Sequence, residues 1–265
     1  MALMSDLARK ASKALFAAAD LVMGSWPGPR VLIYHQVVTN PQRQMEVSVD
    51  AFEAHLFWLR ANAQVVDLEE AILKRGHPDA NKLFVLSFDD GYADLFDTVY
   101  PSLDESAMPF TLYLSTKHIE TQEPMSPGSQ PLTWDQIGKM AEGGLMTLGA
   151  HTHNHMDLRH ASVSQMEEDL GLSNQLIEER VGIVPIHFAY PWGYWSPLAD
   201  TVVRGYYQTA ALGGGRPLTS EIDPFLIHRM PIQRSDDAFF FRRKAKRGMR
   251  LEEKLRRTLR GYEGP

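Results

Sequence analysis

The sequence predicts an α/β protein whose parallel sheet closes into a barrel. Short apolar runs of four or five residues alternate with segments of helical spacing, the pattern of strands joined by crossover helices. Several of those runs end at carboxylates, histidines or tight turns, and the carboxyl ends of strands are where parallel sheets collect their chemistry. A length of 265 residues suits one such barrel with a sizeable core.

Each element has its own signal. After Trp26-Pro27-Gly28-Pro29, Val31 to Tyr34 reads as a short buried strand ending at His35. Asn40 to Gln44 is polar loop. Ser48 or Asp50 can cap a helix with Phe52, Leu56 and Leu59 on one face, and Asp67 caps a second helix through Leu73. Leu83 to Ser87 is the strongest strand. It leads through Phe88 into Asp89-Asp90, and Gly91 lets the backbone leave sharply. A helix is expected from about Leu95 to Glu105, then a strand from Phe110 to Leu114. Beyond a proline-rich loop over 123–131, Thr133-Trp134-Asp135-Gln136 fits a capping box. Leu145 to Ala150 is a strand running directly into His151-Thr152-His153-Asn154-His155. Ser162 or Ser164 caps a longer helix with Met166, Leu170, Leu172 and Leu176 among its apolar positions. His187 to Tyr190 is a strand that ends at Pro191-Trp192-Gly193. A helix near 197–204, a strand near 208–211 and the stretch from Phe225 to Ile232 complete the alternation.

Composition narrows the chemistry. Hydrophobic residues make up 44% and charged residues 23%, ordinary for a globular protein. A formal charge of −6 argues against nucleic acid as the main partner. There is no cysteine, so any metal must be held by imidazole and carboxylate. Adjacent carboxylates at a buried strand end repel one another and lose hydration, a cost that a cation removes. Asp-Asp-Gly alone serves a solvated turn equally well, and His-x-x-x-His alone fits a histidine-rich surface loop. Together, each after a strand, Asp90, His151 and His155 make a plausible set of three ligands that leaves a coordination position open.

Ser87-Phe88-Asp89-Asp90-Gly91 with His151-Thr152-x-x-His155 resembles the polysaccharide deacetylases of carbohydrate esterase family 4, the NodB-homology domain. A third element of that family, a Pro-x-Gly turn, corresponds to Phe188-Ala189-Tyr190-Pro191-Trp192-Gly193. The likeness spans about residues 30–235. It implies a distorted (β/α) barrel and a divalent metal, zinc by preference, that serves removal of an acetyl group from an N-acetylated carbohydrate. By position, the resemblance makes Asp89 the general base and Asp90, His151 and His155 the metal ligands. It puts the Trp192 N–H at the oxyanion and Tyr190, Pro191 and Trp192 against substrate. Two departures matter. Ala189 stands where the family usually has an Arg that orients the base, and Arg229 is the candidate replacement, though a structural salt-bridged Arg would look the same. Leu32-Ile33-Tyr34-His35 matches a branch similar to poly-N-acetylglucosamine deacetylases, in which the motif order is circularly permuted. That makes His35 the candidate general acid, with His228 of Leu226-Ile227-His228 as alternative. An O-acetyl esterase, a small-amide amidohydrolase and a silent carbohydrate-binding barrel are the competing readings.

The sequence divides into an N-terminal amphipathic helix (1–27), the barrel (28–235) and a basic C-terminal tail (236–265). Residues 242–260 hold ten Lys or Arg against Glu252 and Glu253, directly after Phe239-Phe240-Phe241. An apolar cluster beside a polybasic run suits peripheral contact with an anionic membrane, while packing of the phenylalanines on the barrel is the plainer alternative. With no convincing signal peptide, the expected location is cytoplasmic, at the inner face of the membrane.

Overall fold

A computed structural model describes residues 13–14, 26–249 and 251–252. The expected helix over residues 3–23 and the tail beyond residue 252 lie outside the described residues, apart from Lys13 and Ala14.

The strands are β1 (Arg30–Tyr34), β2 (Gln36–Val38), β3 (Glu46–Ser48), β4 (Gln64–Val65), β5 (Leu83–Asp90), β6 (Phe110–Leu114), β7 (Met146–Ala150), β8 (His187–Ala189), β9 (Thr209–Leu212) and β10 (Ile227–Pro231). All pairings among β1 and β5 to β10 are parallel. The order β1-β5-β6-β7-β8-β9-β10 returns to β1 through the register Val31 to Arg229, so seven strands close the barrel. The two residues of β4 extend the sheet beside the start of β5. All eight residues of β5 are buried, because the strand has side chains of the barrel interior on one face and helices on the other.

The helices are α1 (Val49–Asn62), α2 (Leu68–Leu73), α3 (Tyr100–Glu105), α4 (Thr116–Thr121), α5 (Trp134–Glu142), α6 (Val163–Val181), α7 (Pro197–Val203) and α8 (Ala238–Arg247). Four of their starts, those of α1, α2, α5 and α6, follow the caps read from sequence. Ser48 accepts from the Ala51 N–H, Asp67 from Glu70, and Thr133 and Ser162 each close a full capping box. A π-helical turn over Leu95–Val99 precedes α3.

The sequence did not announce several short elements, among them the two-residue β4. β2 and β3 have three residues each, too few to display an alternation, and α4 is a polar six-residue helix. On α6 the buried stripe runs through Met166, Asp169, Leu170, Ser173 and Ile177, and Leu172 faces solvent at 39% exposure. Residues 238–247, expected within a basic tail, form α8 against α1, where Phe241 stacks on His55 with ring centroids 3.9 Å apart.

Candidate metal centre and catalytic cleft

The period-2 alternation of β5 turns Val85, Ser87 and Asp89 to one face and delivers Asp89 and Asp90 at the carboxyl end of the barrel. On β10 the same alternation places Arg229 two residues beyond buried Ile227. Arg229 grips Asp89 as a two-pronged fork, donating from Nη1 to Oδ1 at 2.6 Å and from Nη2 to Oδ2 at 2.8 Å. Nη1 also reaches the Ser87 hydroxyl at 3.2 Å, and the Tyr113 ring lies against the guanidinium at 4.7 Å. Both partners are almost fully buried. Burial acts to raise the Asp89 pKa, yet the Arg229 charge and then the nearby histidines hold it below the ordinary carboxylate value. Arg229, chosen from sequence to orient Asp89, therefore makes that contact directly.

Asp90, His151 and His155 also converge. Their candidate ligand atoms all lie within 4.8 Å of one another, a set that can hold a metal ion. His155 Nε2 stands 3.3 Å and His151 Nε2 3.5 Å from the same atom, Asp90 Oδ1. That oxygen is buried and has no hydrogen-bond partner. His151 Nδ1 is taken up by the Ala189 carbonyl at 2.7 Å, which aims Nε2 at the cluster in the manner of ligating imidazoles. Burial pulls the His151 pKa down to about 4, so at neutral pH it offers a lone pair and no charge. Burial also opposes charge on His155, but the Asp90 carboxylate outweighs it and raises that pKa. Two neighbouring carboxylates thus face one permanent cation, Arg229, whose fork is already occupied by Asp89. An orphaned oxygen between two imidazole nitrogens fits a divalent cation.

The backbone supports this geometry at a cost. Of seven non-glycine residues with positive φ among those described, four are here: Asp90 at 75°, Thr152 at 66°, His155 at 50° and Trp192 at 55°. Left-handed backbone costs such residues of order 1–3 kcal/mol each, and it recurs where side chains must be aimed. Gly91, at φ 99°, continues the exit turn, and a Cβ there would come within 2.6 Å of Leu114. The histidine loop is tied from behind. Asp169 of α6 accepts from the His153 N–H at 2.6 Å and from the Asn154 amide side chain at 2.8 Å, while Thr152 Oγ1 accepts from the Met156 N–H. Asp169 was missed from sequence. Its signal was a carboxylate on the buried stripe of α6.

The remaining candidates separate. His35 follows β1 and lines a cavity of about 100 Å³ together with Asp89, Arg229, Trp192 and Gly213; its Nδ1 is buried with no hydrogen-bond partner. His228 is buried against the Gly213 carbonyl at 3.2 Å and is not among the residues lining that cavity. Trp192 is 49% exposed and its ring meets His155 edge-on at 4.4 Å. Tyr190 is not in the cleft: its side chain is fully buried, packed edge-on against Phe188 at 5.1 Å, because it points away from the barrel mouth into the packing around α7. Pro191 is buried and shapes the turn. On the far side of the metal cluster a second cavity of about 120 Å³ is lined by Asp90, Tyr92, Ser115, His118, Met125 and His155. His153 bonds Thr116 at 2.9 Å and is not in the ligand cluster.

Three potential ligand side chains beside open cavities, with a forked carboxylate next to them, have the ligand number of a catalytic metal site, since structural sites are closed by four protein ligands. The family model for polysaccharide deacetylases matches residues 76–210, and the chain belongs to that family. It is similar to poly-beta-1,6-N-acetyl-D-glucosamine N-deacetylase of Escherichia coli K12, 28% identical over 243 residues that cover 75% of this chain and 36% of the relative. The enzyme of the same name from Staphylococcus aureus MSSA476 is 24% identical, covering 78% of this chain and 74% of the relative. The chain spans 57% and 36% of the length of the first two curated relatives it matches. Among solved structures, IcaB from Ammonifex degensii shares the fold at a TM-score of 0.73 and 22% identity, covering 84% of this chain and 97% of that one.

Proposed function

We propose that this protein is a metal-dependent deacetylase that hydrolyses the N-acetyl group of an amino sugar in a bacterial glycan. The observation that carries the reading is the buried, unpartnered Asp90 Oδ1 between two imidazoles, one residue from a carboxylate locked in an arginine fork. The names of the E. coli and S. aureus relatives support N-acetylglucosamine units as the substrate class.

Asp90, His151 and His155 would hold the metal, and zinc suits two imidazoles and a carboxylate in a chain without cysteine. When bound, such an ion polarises the acetyl carbonyl and acidifies water. Asp89, kept ionised and oriented by Arg229, accepts a proton from the water that attacks the carbonyl carbon. The Trp192 N–H, presented by the left-handed turn, is the donor for the oxyanion. His35, across the same cavity from these groups, gives a proton to the sugar nitrogen as the carbon–nitrogen bond breaks, releasing acetate and a free amine. Its place in the cavity lining favours it over His228.

The test is acetate release from N-acetylglucosamine oligomers by metal-loaded protein, beside a chelated sample and Asp89→Asn. The expected result is release that needs metal and falls about 10²–10⁴-fold in Asp89→Asn with metal content unchanged. Stoichiometric metal with acetate released only from O-acetylated sugars would overturn the N-deacetylase assignment.

A further inference from the structure

The helix α8 has two faces of opposite character. Inward, Phe241 is 1% exposed and meets Trp58 edge-on at 5.8 Å, besides its stack on His55. Lys244, fully buried, donates to Asp236 at 2.8 Å and to the Pro231 carbonyl at 2.9 Å. Asp237 caps the helix by accepting from the Phe239 and Phe240 N–H groups. At the other end Arg30 donates to the Lys246 carbonyl at 3.2 Å, and Gly248 sits so close to Trp26 that a Cβ would overlap the indole. These contacts fix the helix in one rotation, so its outward face is set by the fold.

That outward face is Phe239, Arg242, Arg243 and Lys246, a stripe at i, i+3, i+4 and i+7. Phe239 is 54% exposed, and the Arg243 guanidinium lies over its ring at 5.4 Å. Arg242 and Lys246 are exposed, and among the described residues none of the three cations forms an ion pair. The helix carries no acidic residue, although the chain as a whole is at −6. Arg242 and Lys246 lie i, i+4 on one face, where like charges repel, although Lys246 in the last turn also meets the negative end of the helix dipole. An exposed aromatic ring among unpaired cations is what an anionic bilayer surface accepts: phosphates meet the cations and the ring enters the interface.

We propose that this stripe docks the protein on an anionic phospholipid surface. Of the apolar cluster the sequence suggested, only Phe239 is available for that contact, since Phe240 and Phe241 are spent on packing. No helix among the described residues is long and apolar enough to cross a membrane.

The experiment is sedimentation of the full chain with phosphatidylcholine vesicles, with and without phosphatidylglycerol, at low and high salt. Binding should require phosphatidylglycerol and fade with salt. Arg242→Ala/Lys246→Ala should weaken it about 25-fold, about fivefold per cation. Phe239→Ser should weaken it several-fold, and both variants should keep parental acetate release from a soluble oligosaccharide. Equal binding to phosphatidylcholine alone, or binding untouched by the double substitution, would overturn the proposal. So would retention on soluble dextran sulfate that the double substitution abolishes, in a protein that does not sediment with vesicles; that outcome would assign the face to an anionic polymer. The sedimentation and retention outcomes are independent of whether the barrel is a deacetylase.

Discussion

Asp236 and Asp90 are both carboxylates withdrawn from water, and the molecule treats them in opposite ways. Asp236, with no exposure, is saturated: its Oδ2 accepts from Lys244 and from the Gln233 N–H, its Oδ1 from Lys13, and its carbonyl faces His55 Nε2 at 2.8 Å. Asp90 has an oxygen with no hydrogen-bond partner and two imidazoles, one of them uncharged at neutral pH, as its nearest neighbours. Burial would raise both pKa values. Lys244 and Lys13 hold Asp236 far below the ordinary range, while Asp90 is held low by its histidines. A buried charge closed off by permanent countercharges is a structural clamp. One left open toward ligand-type nitrogens is a place for something else to bind.

Exchanging each for its amide should give the largest effects and opposite ones. Asp236→Asn leaves two buried lysines without their carboxylate and should cost about 3–5 kcal/mol in denaturant unfolding. The parental contribution has a defined pH window. Its depressed folded pKa makes the stability fully present above the unfolded value near pH 4 and lost as pH falls below it, so the variant should show a flatter acid limb. Asp90→Asn should instead abolish metal retention and acetate release while costing the metal-free protein less than Asp236→Asn does, because titratable imidazoles and no lysine hold its charge. Asn tolerates the left-handed backbone required there and keeps an oxygen toward the imidazoles. Equal destabilisation by the two substitutions, measured without metal, would break the comparison.

Arg229→Lys probes the third buried carboxylate, Asp89. Lysine keeps the charge but replaces two bonds of 2.6 and 2.8 Å by one point contact. The expected result is a fall in kcat of about 10- to 100-fold with metal content and KM little changed, because orientation of Asp89 is what is lost. A KM effect with kcat retained would make the fork a purely structural tie.

Much of this was legible in the sequence because it is carried by local signals. Continuous apolar runs, caps such as Ser162 and Thr133, and carboxylates or histidines directly after strands gave the barrel and brought Asp89, Asp90, His151 and His155 to one end. Arg229 was reached only through a resemblance, since the 140 residues separating it from Asp89 leave no local pattern. Tyr190 was misread as substrate-facing because motif position does not say which way a side chain turns at the strand end. Asp236 and Lys244 sat unnoticed in a basic stretch: nothing in a charge run shows that Lys244 turns inward. Asp169 is the intermediate case, visible as a carboxylate on an apolar stripe but without a partner until the histidine loop folds over it.

Asp94 supplies the smallest test and a third state between clamp and site. It accepts the Val37 N–H at 2.6 Å and a bond from the Gln36 side chain, so it anchors β2 directly after His35. No cation is among its partners, and burial pushes its pKa up to about 6. A folded pKa above the unfolded one means the native state keeps a proton that the unfolded chain has released. Asp94 therefore costs stability progressively between about pH 4 and pH 6, and the full cost, about 1–3 kcal/mol, stands at pH 7. Asp94→Asn retains an oxygen to accept from Val37 and removes the charge. It should be more stable than the parent by that amount at pH 7 and equal to it near pH 4, with acetate release retained because β2 still holds His35 in place. A variant less stable than the parent at pH 7 would mean that the ionised carboxylate is satisfied in the fold, as Asp236 is, and that burial alone does not decide which buried carboxylates strain this barrel.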